Sequence, residues 1–421
     1  MIDLIVLAGG QGTRSADPSI PKSLQSLGGD YTVLQSLADS VAGLPIAQVI
    51  AVLGHHDEVL REAFLSTNWG APVTLLKSIN EGTSTAVIVG AEACITNEAL
   101  VVMGDSALAI PINVLYEKWT ESKADVFALC RYSDHPGDSD SVLVDSEGRI
   151  IEFTPKGGLS ENDHQGPMVS LSGVILAKTQ VLIQLPHGGD FQQNLFTVVS
   201  KYNWSTKAHI TRFFSRDTGT ALRLDSARSS FASGSAARRS TLNTGALFID
   251  RDGTLIPNIG DGRKRVQGPE LPEHLREAIK FLNDGGVPIF IVTNQPGIAK
   301  GRITPRDVQA TFRDIQFILA ESGAVFDDFR FCPHHPEAGW PGEVAELKIM
   351  CSCRKPLPGM LESLAEHHNV DLSKSVVIGD SDADRLVAYK VGAAFIAVES
   401  GNPNSTAQAI REAAIRLKGV S

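Results

Sequence analysis

Cysteine is scarce in this chain, with 5 in 421 residues, and aromatic side chains make up only 6%. Thiols so few and so unevenly placed give no disulfide framework and point to a reducing, cytoplasmic setting. No apolar run approaches the roughly 18 residues that cross a bilayer, which excludes a helical membrane span. The opening run Ile2–Ala8 is too short for a signal-peptide core, lacks a basic lead and passes straight into glycines. Positive charge is also in deficit: 38 Lys and Arg stand against 48 Asp and Glu, a net charge of -10. That balance argues against nucleic acid or an acidic membrane as partner, since both favour a basic surface. An anionic substrate would need local Lys and Arg, or a divalent cation.

What is present is a soluble globular composition, 43% hydrophobic and 20% charged. The length exceeds one ordinary core of roughly 100–200 residues. Apolar, β-rich runs at Ile2–Leu7, Val49–Leu53, Val73–Leu76, Leu100–Met103 and Val126–Cys130 alternate with helical patterns such as Val33–Val41. This alternation predicts a mostly parallel sheet covered on both faces. Around Ser141–Phe153 the pattern changes to a hairpin, with Ser146-Glu147-Gly148 as its turn. The stretch from Ser226 to Gly245 is rich in Ser, Ala and Arg. Its first residues finish a helix, and the rest reads as a linker that buries too little apolar surface to build structure of its own. Strand–helix alternation then restarts with Ala246–Asp250, Val287–Thr293, Val376–Asp380 and Ala394–Val398. The expected fold class is α/β in two domains: a Rossmann-like mixed sheet over 1–230, a linker over 231–245, and a doubly wound parallel sheet over 246–421.

After the first strand comes LAGGQGTRSADPSIPKSL. Gly9, Gly10 and Gly12 permit a tight turn whose backbone N–H groups face a bound phosphate, and Arg14 and Lys22 add positive charge. LAGGxGTR with a following Pro-Lys pair resembles the signature of the sugar-1-phosphate nucleotidylyltransferases. Asp105, at the end of Val101-Val102-Met103-Gly104-Asp105, and Asp217 in Arg216-Asp217-Thr218-Gly219-Thr220 stand where that family keeps its Mg²⁺ carboxylates. The resemblance, not the spacing, implies that they pair. It further implies that Arg14 holds the leaving pyrophosphate and Lys22 the phosphoryl groups. Gly9, Gly10, Gly12, Thr13, Glu81, Gly82 and Thr83 would bind the nucleotide. Glu152, Lys156 and Ser172-Gly173 lie near the family's sugar-binding elements, although Phe153-Thr154-Pro155 separates Glu152 from Lys156 and Ser172 replaces the usual Asn.

In the second half, ALFIDRDGTLI is a hydrophobic strand ending in Asp250 and Asp252. Thr293-Asn294 ends another strand, Arg354-Lys355-Pro356 supplies basic residues, and Asp380 with Asp384 ends a third. This order resembles the haloacid dehalogenase (HAD)-type phosphatases, whose sites form at the carboxyl ends of strands. By type, Asp250 would attack phosphorus and Asp252 would act as general acid and base. Asp250, Asp380 and Asp252 (through its carbonyl) would hold Mg²⁺. Thr293 and Lys355 would bind phosphoryl oxygens, with Asn294 and Arg354 near the substrate. Asp384 reads equally as a supporting residue or as a helix-face charge.

Three of the five cysteines fall in FCPHHPEAGWPGEVAELKIMCSCRKP, Phe331 to Pro356. Cys332, His334, Cys351 and Cys353 make a CxH and a CxC pair suited to tetrahedral Zn²⁺, with His335 as the spare histidine. Four protein ligands leave no open position, so the metal would be structural. Together with DRDGTL and TNQPGIAKG, this stretch resembles the D-glycero-D-manno-heptose 1,7-bisphosphate phosphatases. The two resemblances imply consecutive steps: removal of the 7-phosphate, then transfer of a nucleotidyl group from an NTP, GTP by preference, to the heptose 1-phosphate. The alternatives are another sugar phosphate or NTP, or an N-terminal half that only regulates an active phosphatase.

Overall fold

The computed structural model describes the chain except for residues 11–18, 55–56, 79–81, 146, 159–167, 259–267 and 419–421. The N-terminal half is built on a nine-stranded mixed sheet. Its first strand, Ile2–Ala8, lies between the parallel neighbours Ile46–Leu53 and Glu98–Met103. Alternate side chains of that strand feed two separate cores, Ile5 and Leu7 on one face and Leu4 and Val6 on the other. A strand buried on both faces needs such a continuous apolar run. Helix Val33–Val41 covers one face, and its start is fixed by a capping box between Thr32 and Gln35.

The sheet's long antiparallel member, Val169–Lys178, pairs with Glu98–Met103, Val126–Tyr132 and Ser141–Val144. The hydrophobic pattern does not announce this strand, because Ser170, Ser172 and Gly173 interrupt it and its register shifts between Leu171 and Ile175. The predicted hairpin is present as Ser141–Val144 and Ile150–Thr154.

The C-terminal half holds five parallel strands in the order Asp328–Cys332, Ile289–Asn294, Leu247–Ile249, Val376–Gly379, Ala394–Ala397. Leu247 and Ile249 face one core and Phe248 the other, so three residues suffice for a fully buried central strand. Asp328–Cys332 is missed by an apolar-run criterion because Asp328 and Arg330 alternate with aromatics in it.

The segment between the halves departs from the expected unstructured linker. Helix Ala221–Ala232 continues through Gly234, whose φ is 72°, into a second helix, Ser235–Ser240. Composition undervalues this segment because its order comes from partners on both sides. Ala236 is fully buried, Arg238 donates to the Gly285 carbonyl at 2.6 Å, and Arg239 pairs with Asp327 at 2.5 Å. The halves also touch directly. Tyr132 packs on Phe326 with ring centroids 4.7 Å apart, and Gln316 exchanges two hydrogen bonds with the backbone of Met168.

Three histidines lie along this seam, His209 and His368 buried and His367 partly so. His367 stacks on His209 at 4.5 Å and donates to the Ile210 carbonyl, while His368 binds Asp328 at 2.9 Å. Burial pushes all three below their ordinary value of 6.5, His367 to about 3. The neighbouring charges Lys118 and Arg330 act in the same direction and Asp328 against it. The unfolded chain therefore takes up protons below about pH 6.5 that the folded chain refuses, and stability falls as pH drops. Asp328 is itself held well below 3.8, so its contribution is lost only at more acid pH. Urea unfolding between pH 7 and 5 should show stability falling by up to about 1.4 kcal/mol per pH unit for each of the three histidines. His367→Gln should flatten that slope by about a third, whereas a slope unchanged by the substitution would remove His367 as a cause.

Candidate active sites

In the N-terminal half, Gly9 and Gly10 follow the first strand and border a cavity that also touches Lys22, Gly82, Thr83 and Asp105. Gly12, Thr13, Arg14 and Glu81 lie outside the described residues. Gly82 has φ 97°, and a Cβ there would collide with the Gly189 carbonyl, so only glycine lets helix Thr83–Glu92 begin so close to that loop. Thr83 fixes the same junction by accepting a hydrogen bond from the Phe191 backbone at 2.8 Å.

Asp105 and Asp217, 112 positions apart in sequence, end up side by side. The strand Ser106–Ala109 pairs with Phe214–Asp217 so that Ser106 faces Asp217. The backbone N–H and hydroxyl of Thr218 both donate to the Asp105 carbonyl, at 2.9 and 2.8 Å. Lys22 bonds Asp105 at 2.9 Å, and Arg223 forms an ion pair with Asp217. A two-carboxylate pair beside a polar cavity is a donor set that fits a hard divalent cation.

Lys156 lines a second cavity that shares Lys22, Thr83 and Asp105 with the first, and its backbone N–H donates to Asp140 at 2.9 Å. Ser172 and Gly173 line it too, with the Ser172 hydroxyl donating to the Leu129 carbonyl. Glu152 is exposed on the hairpin and does not line the cavity. Instead the wall includes Arg131, His135, Asp138, Gln192 and Arg223, none of which the sequence singles out. Only Arg223 carried a usable signal, six residues after Asp217 on the helix that follows. Asp134, just behind the wall, would be raised by burial, but the hydrogen bond from His135 and the guanidinium groups of Arg216 and Arg131 hold it well below the usual carboxylate range.

In the C-terminal half, Asp250, Thr293, Lys355, Asp380 and Asp384 converge at the carboxyl ends of the strands. The Lys355 ammonium, 4% exposed, donates to Asp250 at 2.5 Å, Asp384 at 2.6 Å and the Val292 carbonyl at 2.9 Å. Asp250, Asp380 and Asp384 each offer an oxygen within 4.8 Å of the others. Burial raises the Asp250 carboxyl to about 7 against the pull of Lys355, with Asp384 and Asp252 adding repulsion. One ammonium does not neutralise this group, and a divalent cation fits the remaining deficit. Burial would lower Lys355, but Asp250 and Asp384 more than offset it and keep the ammonium charged.

The structure adds two details to this group. The Asp252 carboxylate lies outside the three-carboxylate group, because Gln295 at 2.6 Å, Thr293 at 3.1 Å and Arg251 hold it to one side. Asp384, left open between two readings, is buried within that group and fixed by Lys355 and by the Ser381 hydroxyl at 2.5 Å. Asn294 spends its amide on Lys355, donating to the carbonyl at 3.0 Å and accepting from the N–H at 2.9 Å. It holds the lysine in place. Gly253, at φ 87°, passes so close to Asp380 that a Cβ would strike the carboxylate.

The Cys332, Cys351 and Cys353 sulfurs and the His334 ring gather in one cluster, with no disulfide. Cys353 lies 3.2 Å from Cys332, 3.3 Å from Cys351 and 3.3 Å from His334 Nδ1, and Cys332 lies 3.6 Å from Cys351. A tetrahedral site with metal–sulfur bonds of about 2.3 Å has edges of about 3.8 Å, so this cluster need open outward only slightly to form a zinc shell. His335 is turned away, its ring edge-on to Trp340 at 4.9 Å. Arg354 binds back to the His334 carbonyl at 3.3 Å, which ties the cluster to the residue before Lys355.

Comparison with known proteins agrees with this division. A MobA-like NTP transferase domain profile matches residues 4–185, and a HAD-hydrolase-like profile matches residues 352–419. The D-glycero-beta-D-manno-heptose-1,7-bisphosphate 7-phosphatase of Yersinia pestis is 34% identical over 166 residues, 39% of this chain and 85% of that protein. The enzyme of the same name from Rhodopseudomonas palustris is 40% identical over 147 residues, 35% of this chain and 79% of that protein. The crystal structure of HddC from Yersinia pseudotuberculosis aligns with 55% of this chain and 100% of its own at 20% identity, with a TM-score of 0.45. Through its C-terminal half, the chain belongs to the D-glycero-beta-D-manno-heptose-1,7-bisphosphate 7-phosphatase family, and a MobA-like NTP transferase domain precedes that half in one enzyme combining a hydrolase with a nucleotidyltransferase.

Proposed function

We propose that the C-terminal domain, 246–421, removes the 7-phosphate of D-glycero-D-manno-heptose 1,7-bisphosphate. The N-terminal domain, 1–230, then joins the heptose 1-phosphate to a nucleotidyl group, with GTP the preferred donor by its resemblance to heptose-1-phosphate guanylyltransferases. The observation that carries the first step is the buried group of Lys355 with Asp250, Asp380 and Asp384. Lys355 occupies one Asp250 oxygen and leaves the other to attack phosphorus. The bond from phosphorus to the sugar oxygen breaks, and Asp252 protonates that oxygen after leaving Thr293 and Gln295. Asp252 then takes a proton from water, which attacks the aspartyl phosphate and releases inorganic phosphate. Mg²⁺ bound by Asp250, Asp380 and the Asp252 carbonyl, with Asp384 beside it, would supply charge neutralisation.

In the second step an oxygen of the sugar 1-phosphate attacks the α-phosphorus of the NTP, and the bond to the β-phosphate breaks to release pyrophosphate. Lys22 and Arg14 neutralise phosphoryl charge, Gly9, Gly10, Gly12 and Thr13 with Glu81, Gly82 and Thr83 seat the nucleotide, and Lys156 faces the sugar. Asp105 and Asp217 would hold the Mg²⁺ of this site.

Supplying the heptose bisphosphate with each NTP should release phosphate first and then pyrophosphate, the latter fastest with GTP. Asp250→Asn should reduce phosphate release at least about a thousandfold. Asp105→Asn should reduce pyrophosphate release about a hundredfold or more while phosphate release continues. No pyrophosphate with any NTP would leave the N-terminal half as a regulatory module.

The Cys332, His334, Cys351 and Cys353 set is read as a structural Zn²⁺ site that presents Arg354 and Lys355. Metal analysis should find one zinc per chain, and stripping it with a strong chelator before restoring Mg²⁺ should abolish phosphate release but spare pyrophosphate release. Equal loss of both activities would mean that the cluster supports more than this loop.

A further inference from the structure

Arg212 is 1% exposed and sits in the seam between the halves. It faces main-chain carbonyls: Nε donates to His368 at 2.7 Å, Nη1 to Arg239 at 2.6 Å, and Nη2 to Thr241 at 2.8 Å and Asn369 at 3.2 Å. Two of these carbonyls belong to the end of the phosphatase helix Gly359–His368 and its cap, and two to the bridging segment. Its own carbonyl accepts a bond from Arg239 at 2.7 Å, so the residue is held from both ends. Burial of the guanidinium lowers its affinity for a proton, to about 10, yet the group stays charged at neutral pH. Four neutral acceptors, with the Asp327 carboxylate nearby, therefore stabilise a buried cation, and moving any of the four costs the charge part of its shell.

The strand Phe214–Asp217 begins two residues later. It ends at Asp217, and Thr218 closes onto the Asp105 carbonyl. We infer that Arg212 is a positioning residue through which the phosphatase domain sets the distance between the two transferase carboxylates. The transferase metal site is then complete only when the phosphatase domain is docked. This rests on the proposed pairing of Asp105 with Asp217 on Mg²⁺.

The test uses the full chain and follows pyrophosphate release against Mg²⁺ concentration, with phosphate release from the bisphosphate as internal control. Arg212→Met and, independently, Arg239→Gln should raise the half-saturating Mg²⁺ for pyrophosphate release about tenfold, the usual effect of losing a group that orients a metal ligand. Saturating Mg²⁺ should recover most of the rate, phosphate release should keep its own Mg²⁺ dependence, and Arg212→Lys should be intermediate. An unchanged half-saturating Mg²⁺ in variants that retain phosphate release overturns the inference. So does parallel loss of both activities in both variants, which marks a general structural role. Asp217→Asn separates the two layers: if it too leaves the Mg²⁺ dependence unchanged, the carboxylate pair itself is wrongly assigned.

Discussion

A sheet buried on both faces can present reactive side chains only at its ends, and both halves of this protein are organised by that restriction. The strand Leu247–Ile249 carries no charge along its length, and Ile2–Ala8 carries only Asp3, at its start, where the backbone N–H groups of Ile95 and Thr96 and the Thr96 hydroxyl satisfy it. The charges they need are therefore crowded into the turns that follow, where like signs must be reconciled at short range. In the phosphatase half the reconciliation falls on the Lys355 ammonium between Asp250 and Asp384. Much nearby structure serves that one side chain. Asn294 fixes its backbone, and the cysteine and histidine cluster immobilises the chain just before it.

The transferase half solves the same problem with more dispersed parts. Lys22 meets Asp105 and Arg223 meets Asp217, and the two acids are aligned by a short two-strand ladder rather than by one loop. Its cavity wall mixes Arg131, Lys156 and Arg223 with Asp138 and Asp140. That mixture suits a substrate with both anionic and hydroxyl groups, since each acid is an acceptor for a hydroxyl and each cation a partner for phosphate.

The sequence made legible what is local. Strand-end aspartates, the glycine turns and the CxH and CxC pairs are short patterns whose chemistry depends on near neighbours. The strands Leu247–Ile249 and Ile289–Asn294 and the meeting of Cys332 with Cys351 and Cys353 could be anticipated from them. Long-range geometry was less accessible. Nothing near Arg131 or Gln192 marks them as cavity residues: Arg131 is placed by antiparallel pairing with a strand that serine and glycine disguise, and Gln192 reaches the cavity from the start of the helix Phe191–Tyr202. The role of Asp252 was half legible: its type indicates acid–base work, but only the fold shows Arg251, Thr293 and Gln295 holding its carboxylate to one side. The bridging helices escaped detection for a related reason. Their arginines are ordered by the Arg212 and Gly285 carbonyls and by Asp327, partners that no window of local sequence contains.

The docking seam has one more consequence. It meets the phosphatase sheet at Asp327–Asp328 and at His368–Asn369, the edge where the strand Asp328–Cys332 begins, whereas Asp250 and Lys355 stand where the strands finish. The two domains are thus joined back to front. The far rim is separated from the seam by the length of the strands. Fusion in one chain then fixes the two catalytic domains at equal numbers, with each site opening on its own side of the seam.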